Sequence, residues 1–146
     1  MSTSRNEALT LGVEDGSFPV SQERRQGFKT LLVAALLSEL QLRNIRVGAI
    51  TVDGTDATEA ILGIIKSLKR KPSVVMLAGI SYGGFNFIDP FRLQEEADLP
   101  SIIVTTEKPN NNEVKTALQR HFPDWKHRWS VYRRIKSFQE VRANPR

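Results

Sequence analysis

The stretch from Lys29 to Val52, KTLLVAALLSELQLRNIRVGAITV, decides the fold. Its first part, Lys29 to Ser38, is a dense apolar run. Its second, Arg43 to Val52, carries β-branched residues with alternating character and stops at the turn signal Asp53-Gly54. Both parts are read as strands. The Leu and Ala content of Leu31 to Leu42 would also suit a helix, so propensity alone leaves that segment open.

Working toward the N-terminus, Leu9, Leu11 and Val13 alternate with Thr10, Gly12 and Glu14, a period-two pattern that predicts a strand over Ala8 to Glu14, closed by Asp15-Gly16. Working toward the C-terminus, Asp56 with Glu59 three residues on is a capping-box arrangement. Ala57, Ile61, Ile64, Ile65 and Leu68 then recur at helical spacing up to Lys69-Arg70-Lys71-Pro72. Ser73 to Ile80 is a continuous apolar run, which predicts a strand buried on both faces, and it opens into a loop, Ser81 to Phe87, with two glycines. A helix over Asp89 to Ala97, a strand over Ser101 to Thr106, and helices over Asn112 to Phe122 and Asp124 to Phe138 complete the pattern. Three successive strands followed by alternating helices and strands give an α/β domain, a five-stranded mixed sheet with helices on its faces. One domain is expected over residues 8–138, between a flexible tail at 1–7 and a C-terminal tail at 139–146.

Composition narrows the function. With 146 residues, 40% hydrophobic and 25% charged, the chain is in the range of ordinary globular domains. It has no cysteine and two histidines, which excludes a thiol nucleophile, a disulfide scaffold and a thiolate-based zinc site. The apolar run Leu31 to Leu37 falls far short of the roughly 20 residues that cross a bilayer. The first residues lack the apolar middle of a secretory signal, so a cytoplasmic protein is expected. Charge is uneven. Lys115 to Arg146 holds nine basic and two acidic residues, so a surplus of +7 sits at this end and the rest carries −2 of the +5 total. Clustered Lys and Arg suit a polyanion, because neutralising phosphates releases counterions. A solvated helix face is the plainer account of the same charges.

Acidic residues stand near strand tips, where open α/β sheets place their sites. Glu14 and Asp15 end the first strand, Asp53 ends the third, and Asp56 follows. If the first and third strands lie side by side in suitable register, these carboxylates converge, and a hard cation such as Mg²⁺ needs only one or two of them plus a substrate phosphate. Asp15-Gly16 and Asp53-Gly54 are also ordinary turn dipeptides, and Asp56 is explained equally as a helix cap. Glu14 is harder to dismiss, since a partly buried carboxylate is costly without a partner. In the glycine loop, Tyr82 is a candidate for stacking on a base and Asn86 for hydrogen bonds to a base edge or phosphate. Trp125, Trp129 and Tyr132 share one helical face, which is a core or an interface for dimerisation. Lys126, Arg128, Arg133 and Arg134 are the candidate phosphate contacts.

Four ordered strings carry a family resemblance: Gly12-Val13-Glu14-Asp15-Gly16-Ser17-Phe18, Val52-Asp53-Gly54-Thr55-Asp56-Ala57-Thr58-Glu59, Gly83-Gly84-Phe85-Asn86-Phe87-Ile88-Asp89 and Leu99-Pro100-Ser101-Ile102-Ile103-Val104. Together they closely resemble the archaeal-type endonuclease dU family, itself similar to endonuclease V. The resemblance implies a ribonuclease-H-like fold and a Mg²⁺-dependent or Mn²⁺-dependent endonuclease acting on DNA with deaminated bases, single-stranded or in a damaged duplex. By position, Glu14 would be the first-strand metal ligand and Asp53 or Asp56 the second, with Asp15 and Glu59 in reserve. Where endonuclease V has an Asp-Gly pair ending its fourth strand, this chain has Ala78-Gly79. That departure removes one metal ligand and leaves a non-catalytic nucleic-acid-binding module as the alternative.

Overall fold

The structure is a computed structural model and describes residues 7–18 and 27–143. Residues 1–6 and 144–146, within the expected tails, lie outside the described residues.

The stretch left open by propensity is strand: β1 (Leu9–Asp15), β2 (Lys29–Ser38) and β3 (Gln41–Thr51) run as an antiparallel meander. Thr30, Leu32, Ala34, Leu36 and Ser38 are buried while the residues between them are not. That is a period of two, and β2 acquires it because it is paired on both edges, a tertiary setting that overrides helix propensity. After α1 (Ala57–Ser67) the chain enters β4 (Val74–Ala78), parallel to β1. A small hairpin follows, β5 (Ser81–Tyr82) and β6 (Asn86–Phe87), then α2 (Pro90–Ala97) and β7 (Ser101–Val104), parallel to β4. The sheet order is β3-β2-β1-β4-β7, the ribonuclease-H-like order. The hairpin was read from sequence as plain loop, and the last strand stops at Val104 instead of Thr106.

One face of the sheet meets α1 and α2. Leu11, Leu32, Ile50, Val75 and Leu77 from the strands pack against Ile61 and Leu62 of α1 and Leu93 of α2, each less than 2% exposed. The periodic residues of α1 named from sequence supply this contact, as an apolar helical stripe must. The expectation that β4 is buried on both faces is corrected: Val75 and Leu77 are buried, whereas Met76 is 38% exposed and Ala78 is exposed. Near the start of β1, the Glu7 carboxylate, placed in the tail on sequence, accepts from Ser38, from Arg43 at 2.6 Å and from Arg70 at 3.3 Å. Those three donors, Ser38 first, lower its pKa to about 2.

The described residues form two compact units, the first ending at Lys108 and the second beginning at Pro109. The second is a helical hairpin, α3 (Asn111–His121) and α4 (Trp125–Arg134), closed by the 3₁₀ turn Ile135–Ser137. The Asn110 side chain caps α3 by accepting from Asn112 and Glu113 main-chain N–H groups. Within this unit Trp129 stacks on Tyr132 with centroids 5.3 Å apart, the Tyr132 hydroxyl donates to Asn111 at 2.8 Å, and Lys115 lies over the Trp129 ring. Two members of the aromatic face, Trp129 and Tyr132, thus contact each other and α3 within this unit.

Candidate active site

The ends of β1 and β3 are separated in the sheet by β2, so the two strands are not the neighbours that the sequence argument required. Both carboxylates nevertheless bond to the same loop, the one between β5 and β6. Asp15 Oδ2 accepts from the Gly83 main-chain N–H at 2.6 Å, and Asp53 Oδ1 accepts from the Phe85 N–H at 3.0 Å. The Asp53 N–H in turn donates to the Gly83 carbonyl at 2.7 Å. Two acidic side chains from separate strand ends thus hold one three-residue loop.

Local backbone geometry explains why these residues can do so. After β3 the chain turns at 51–54, with the Gly54 N–H donating to the Thr51 carbonyl at 2.9 Å. Asp53 adopts φ 55° in this turn, a left-handed conformation that Asp tolerates better than most side chains. A Cβ on Gly54 would come within 2.6 Å of Thr51 Cβ, so the Asp-Gly turn reading is correct as far as it goes. Gly83 takes φ 54° beneath Thr30 and Ile50, which places its N–H toward Asp15. The Thr30 hydroxyl anchors the end of β1 by donating to the Gly16 carbonyl at 3.1 Å.

Glu14 is exposed, not partly buried, and it alternates to the face of β1 opposite Asp15. The structure therefore brings together Asp15 and Asp53, the reserve and one named ligand, and does not pair Glu14 with Asp53 across this loop. Glu59 is engaged elsewhere, its Oε1 lying 2.5 Å from Arg92 Nη2.

Asp56 does not cap α1 with its side chain. It accepts instead from the Thr51 N–H at 3.0 Å, the Thr51 hydroxyl at 2.8 Å, the Asn86 amide at 2.7 Å and Lys29 at 3.3 Å. The cap comes from a distant residue: Asn86 Oδ1 accepts from the Ala57 N–H at 3.0 Å while its Nδ2 also donates to the Thr51 carbonyl. Asn86 is wholly buried and both of its amide hydrogens are used within the chain, so the expected contact with a base edge or phosphate is corrected. Tyr82 is corrected likewise. It is wholly buried, its hydroxyl donates to the Val13 carbonyl at 2.8 Å, and burial raises its pKa. A ring in that position cannot stack on a base. Arg128, 7% exposed, lies over the Phe122 ring at 4.2 Å and pairs with Asp124 at 2.9 Å, so it serves the helical hairpin instead of a phosphate. Lys126, Arg133 and Arg134 are exposed on α4.

The Asp56 network makes stability depend on pH. Burial pushes the Asp56 pKa up, but the bonds from the Thr51 N–H, the Thr51 hydroxyl, Asn86 and Lys29 outweigh it and lower the value from 3.8 to about 2. A carboxylate with a depressed folded pKa stabilises fully above its unfolded value and loses that contribution as pH falls through the folded one. Thermal melting followed from pH 6 to pH 2 is expected to show a loss concentrated between about 4 and about 2. The same titration of Asp56→Asn is expected to be flatter over that window. Equal slopes would remove Asp56 from the account.

Among the described residues no three His, Asp or Glu side chains gather in a set able to hold a metal. The pair at the loop offers carboxylate oxygens and no thiol or imidazole, the donor chemistry of a hard cation, and Mg²⁺ is held by as few as one or two protein carboxylates. Asp15 and Asp53 fit that minimum. Sequence reading missed the main-chain N–H groups of Gly83 and Phe85, which tie the two carboxylates to one loop. The signal available for them was the glycine pair following a buried strand.

The sheet order β3-β2-β1-β4-β7, with α1 and α2 on one face, defines the ribonuclease-H-like fold class. Comparison gives the particular family: the endonuclease dU profile matches residues 6–146, and the chain belongs to that family. A UPF0215 protein of Thermococcus gammatolerans is 36% identical over 136 residues, covering 92% of this chain and 70% of the relative. The crystal structure of a protein of unknown function from Archaeoglobus fulgidus superposes with a TM-score of 0.75 at 26% identity, over 86% of this chain and 68% of that one. Human ENDOV gives a TM-score of 0.45 at 17% identity, over 80% of this chain and 55% of that one. The chain spans about two thirds of the length of the curated relatives it matches. Among the described residues, no helix is long and apolar enough to cross a membrane.

Proposed function

We propose that the chain is a Mg²⁺-dependent endonuclease that hydrolyses phosphodiester bonds in DNA containing deaminated bases, deoxyuridine foremost. The observation that carries this reading is the meeting of Asp15 and Asp53 on one loop in a member of the endonuclease dU family. Asp15 and Asp53 would hold the cation, while Glu14 is an exposed carboxylate on the opposite face of β1. When bound, Mg²⁺ supplies a more acidic water and neutralises charge on the phosphate under attack. The chain's own contribution is to fix the two carboxylates: the 83–85 loop holds one oxygen of each, and Thr30 pins the end of β1. Lys126, Arg133 and Arg134 on α4 offer cationic contacts to the DNA backbone.

The test is nicking of end-labelled duplexes and single strands carrying one deoxyuridine or one deoxyinosine, with Mg²⁺, Mn²⁺ or EDTA. Metal-dependent nicking of the deoxyuridine substrate supports the proposal. One observation favours a second reading, a nucleic-acid-binding module without catalysis: β4 ends at Ala78, followed by Gly79, and neither brings a carboxylate to that strand tip. Under that reading no nicking appears, while DNA binding persists and weakens steeply with salt. Replacing Lys126, Arg133 and Arg134 together by Ala is expected to reduce the slope of log affinity against log salt by about 2 to 3. An unchanged slope would remove α4 from the DNA contact.

A further inference from the structure

We propose that the outer edge of β3 is a self-association surface, which pairs antiparallel with the same edge of a second copy about a two-fold axis at Val47. β3 is eleven residues long and stands at the end of the sheet, with β2 as its one strand neighbour among the described residues. The direction of its main-chain groups follows from one bond. The Val52 N–H donates inward to the Phe28 carbonyl at 2.8 Å, and in an antiparallel ladder the inward and outward residues alternate. Thr51, Ala49, Val47 and Ile45 therefore point their N–H and carbonyl groups outward.

The outward groups of Thr51 are already used. Its N–H is taken by Asp56, and its carbonyl by Asn86 and Gly54. At the other end the register with β2 shifts between Leu36 and Leu37, where β3 carries an extra residue. The open edge is thus the stretch of Ile45, Val47 and Ala49, with the Ile45 carbonyl touched by the adjacent Arg46 guanidinium at 3.2 Å. Val47 is 62% exposed and Ile45 is 49% exposed. An edge whose outward residues are apolar and exposed, with no Pro or Lys among them, is open to pairing with another strand.

Complementarity selects a second copy and a single register. With the axis at Val47, Val47 faces its own copy, Ile45 faces Ala49, and Arg46 faces Gly48, so each guanidinium meets an open position. A two-residue shift one way sets Arg46 against Arg46, and like charges directly opposed are unfavourable. A two-residue shift the other way sets Ile45 against Thr51, whose main-chain groups Asp56 and Asn86 occupy. A ladder of this length buries less than about 1,200 Å² in total, the range of weak, concentration-dependent complexes.

The test is sedimentation or light scattering of the full chain across concentration. The mass is expected to rise from 16.5 kDa toward twice that value in the micromolar range. Val47→Pro removes an outward N–H and no bond to β2, so it is expected to give a monomer with an unchanged circular-dichroism spectrum. Val47→Lys is the second variant should the proline impair folding. Register is read by oxidation, since the chain has no cysteine of its own. Val47→Cys places two thiols on Cα atoms about 5.5 Å apart, within disulfide reach, and is expected to cross-link. Ile45→Cys places them roughly 14 Å apart and is not. A chain that stays monomeric at the highest concentration, a dimer that survives both Val47→Pro and Val47→Lys, or equal cross-linking at 45 and 47 would each overturn the proposal.

Discussion

The double variant Asp15→Asn/Asp53→Asn is expected to lose metal-dependent nicking by roughly a thousandfold while keeping its melting temperature. The reasoning separates charge from architecture. Each Asp uses one carboxylate oxygen to accept a main-chain N–H from the 83–85 loop, Gly83 at 2.6 Å and Phe85 at 3.0 Å. Asn retains one acceptor oxygen of the same shape, so the loop stays held, but it brings no negative charge to a cation. A cation's stabilisation of the reacting phosphate amounts to several kcal/mol, and each 1.4 kcal/mol is tenfold in rate. Glu14→Gln alone, on the opposite face of β1, is expected to cost no more than about tenfold. The measurement is the single-turnover rate on a deoxyuridine duplex at saturating Mg²⁺. Nicking that survives in the double variant would move the site away from the loop, and a collapse with Glu14→Gln alone would restore the first-strand assignment implied by the resemblance.

The largest loss of stability outside the apolar core is expected from Asn86→Ala, about 3 kcal/mol, or close to 10 °C in melting temperature for a chain of this size. Asn86 is wholly buried and joins three parts of the chain. It accepts from the Ala57 N–H at the start of α1, donates to the Thr51 carbonyl at the end of β3, and donates to Asp56 at 2.7 Å. Truncation leaves the Ala57 N–H buried without an acceptor and removes one donor from a carboxylate that depends on four. Asn86→Asp discriminates further. It sets a second carboxylate against Asp56, so its stability is expected to improve from pH 7 to pH 4, a range over which the Asp56 contribution of the native chain is still held. Chemical denaturation of both variants at pH 7 and pH 4 checks the pair. A loss below about 1 kcal/mol for Asn86→Ala would mean that water replaces the amide and that the network contributes little.

Much of the architecture was legible because hydrophobic period is a local property. Leu9, Leu11 and Val13 at period two, and Ile61, Ile64 and Ile65 at helical spacing, appear in the structure as β1 and α1. The helix alternative for Leu31 to Leu42 was removed by pairing on both edges of β2, which no window of sequence contains. The site was legible in residue type and place but not in partnership. Asp15 and Asp53 were visible as carboxylates at strand tips, whereas their meeting depends on the backbone of 83–85, which carries no side-chain signature. Tyr82, Asn86 and Arg128 were misread for one common reason: a polar or aromatic residue in a loop or helix has the same composition whether it faces solvent or its own chain.

By itself, the sequence determined the order of the five strands of the main sheet and the four α-helices, through periodicity and turn chemistry, while four ordered motifs carried the resemblance to the family and to its ribonuclease-H-like class. Only the tertiary structure decided which carboxylates share a neighbour, that Asn86 rather than Asp56 caps α1, and which edge of the sheet stays open. The first two outcomes depend on groups 29 or more residues apart, 68 in the case of Asp15 and Gly83, whose hydrogen bonds exist only once the chain has folded.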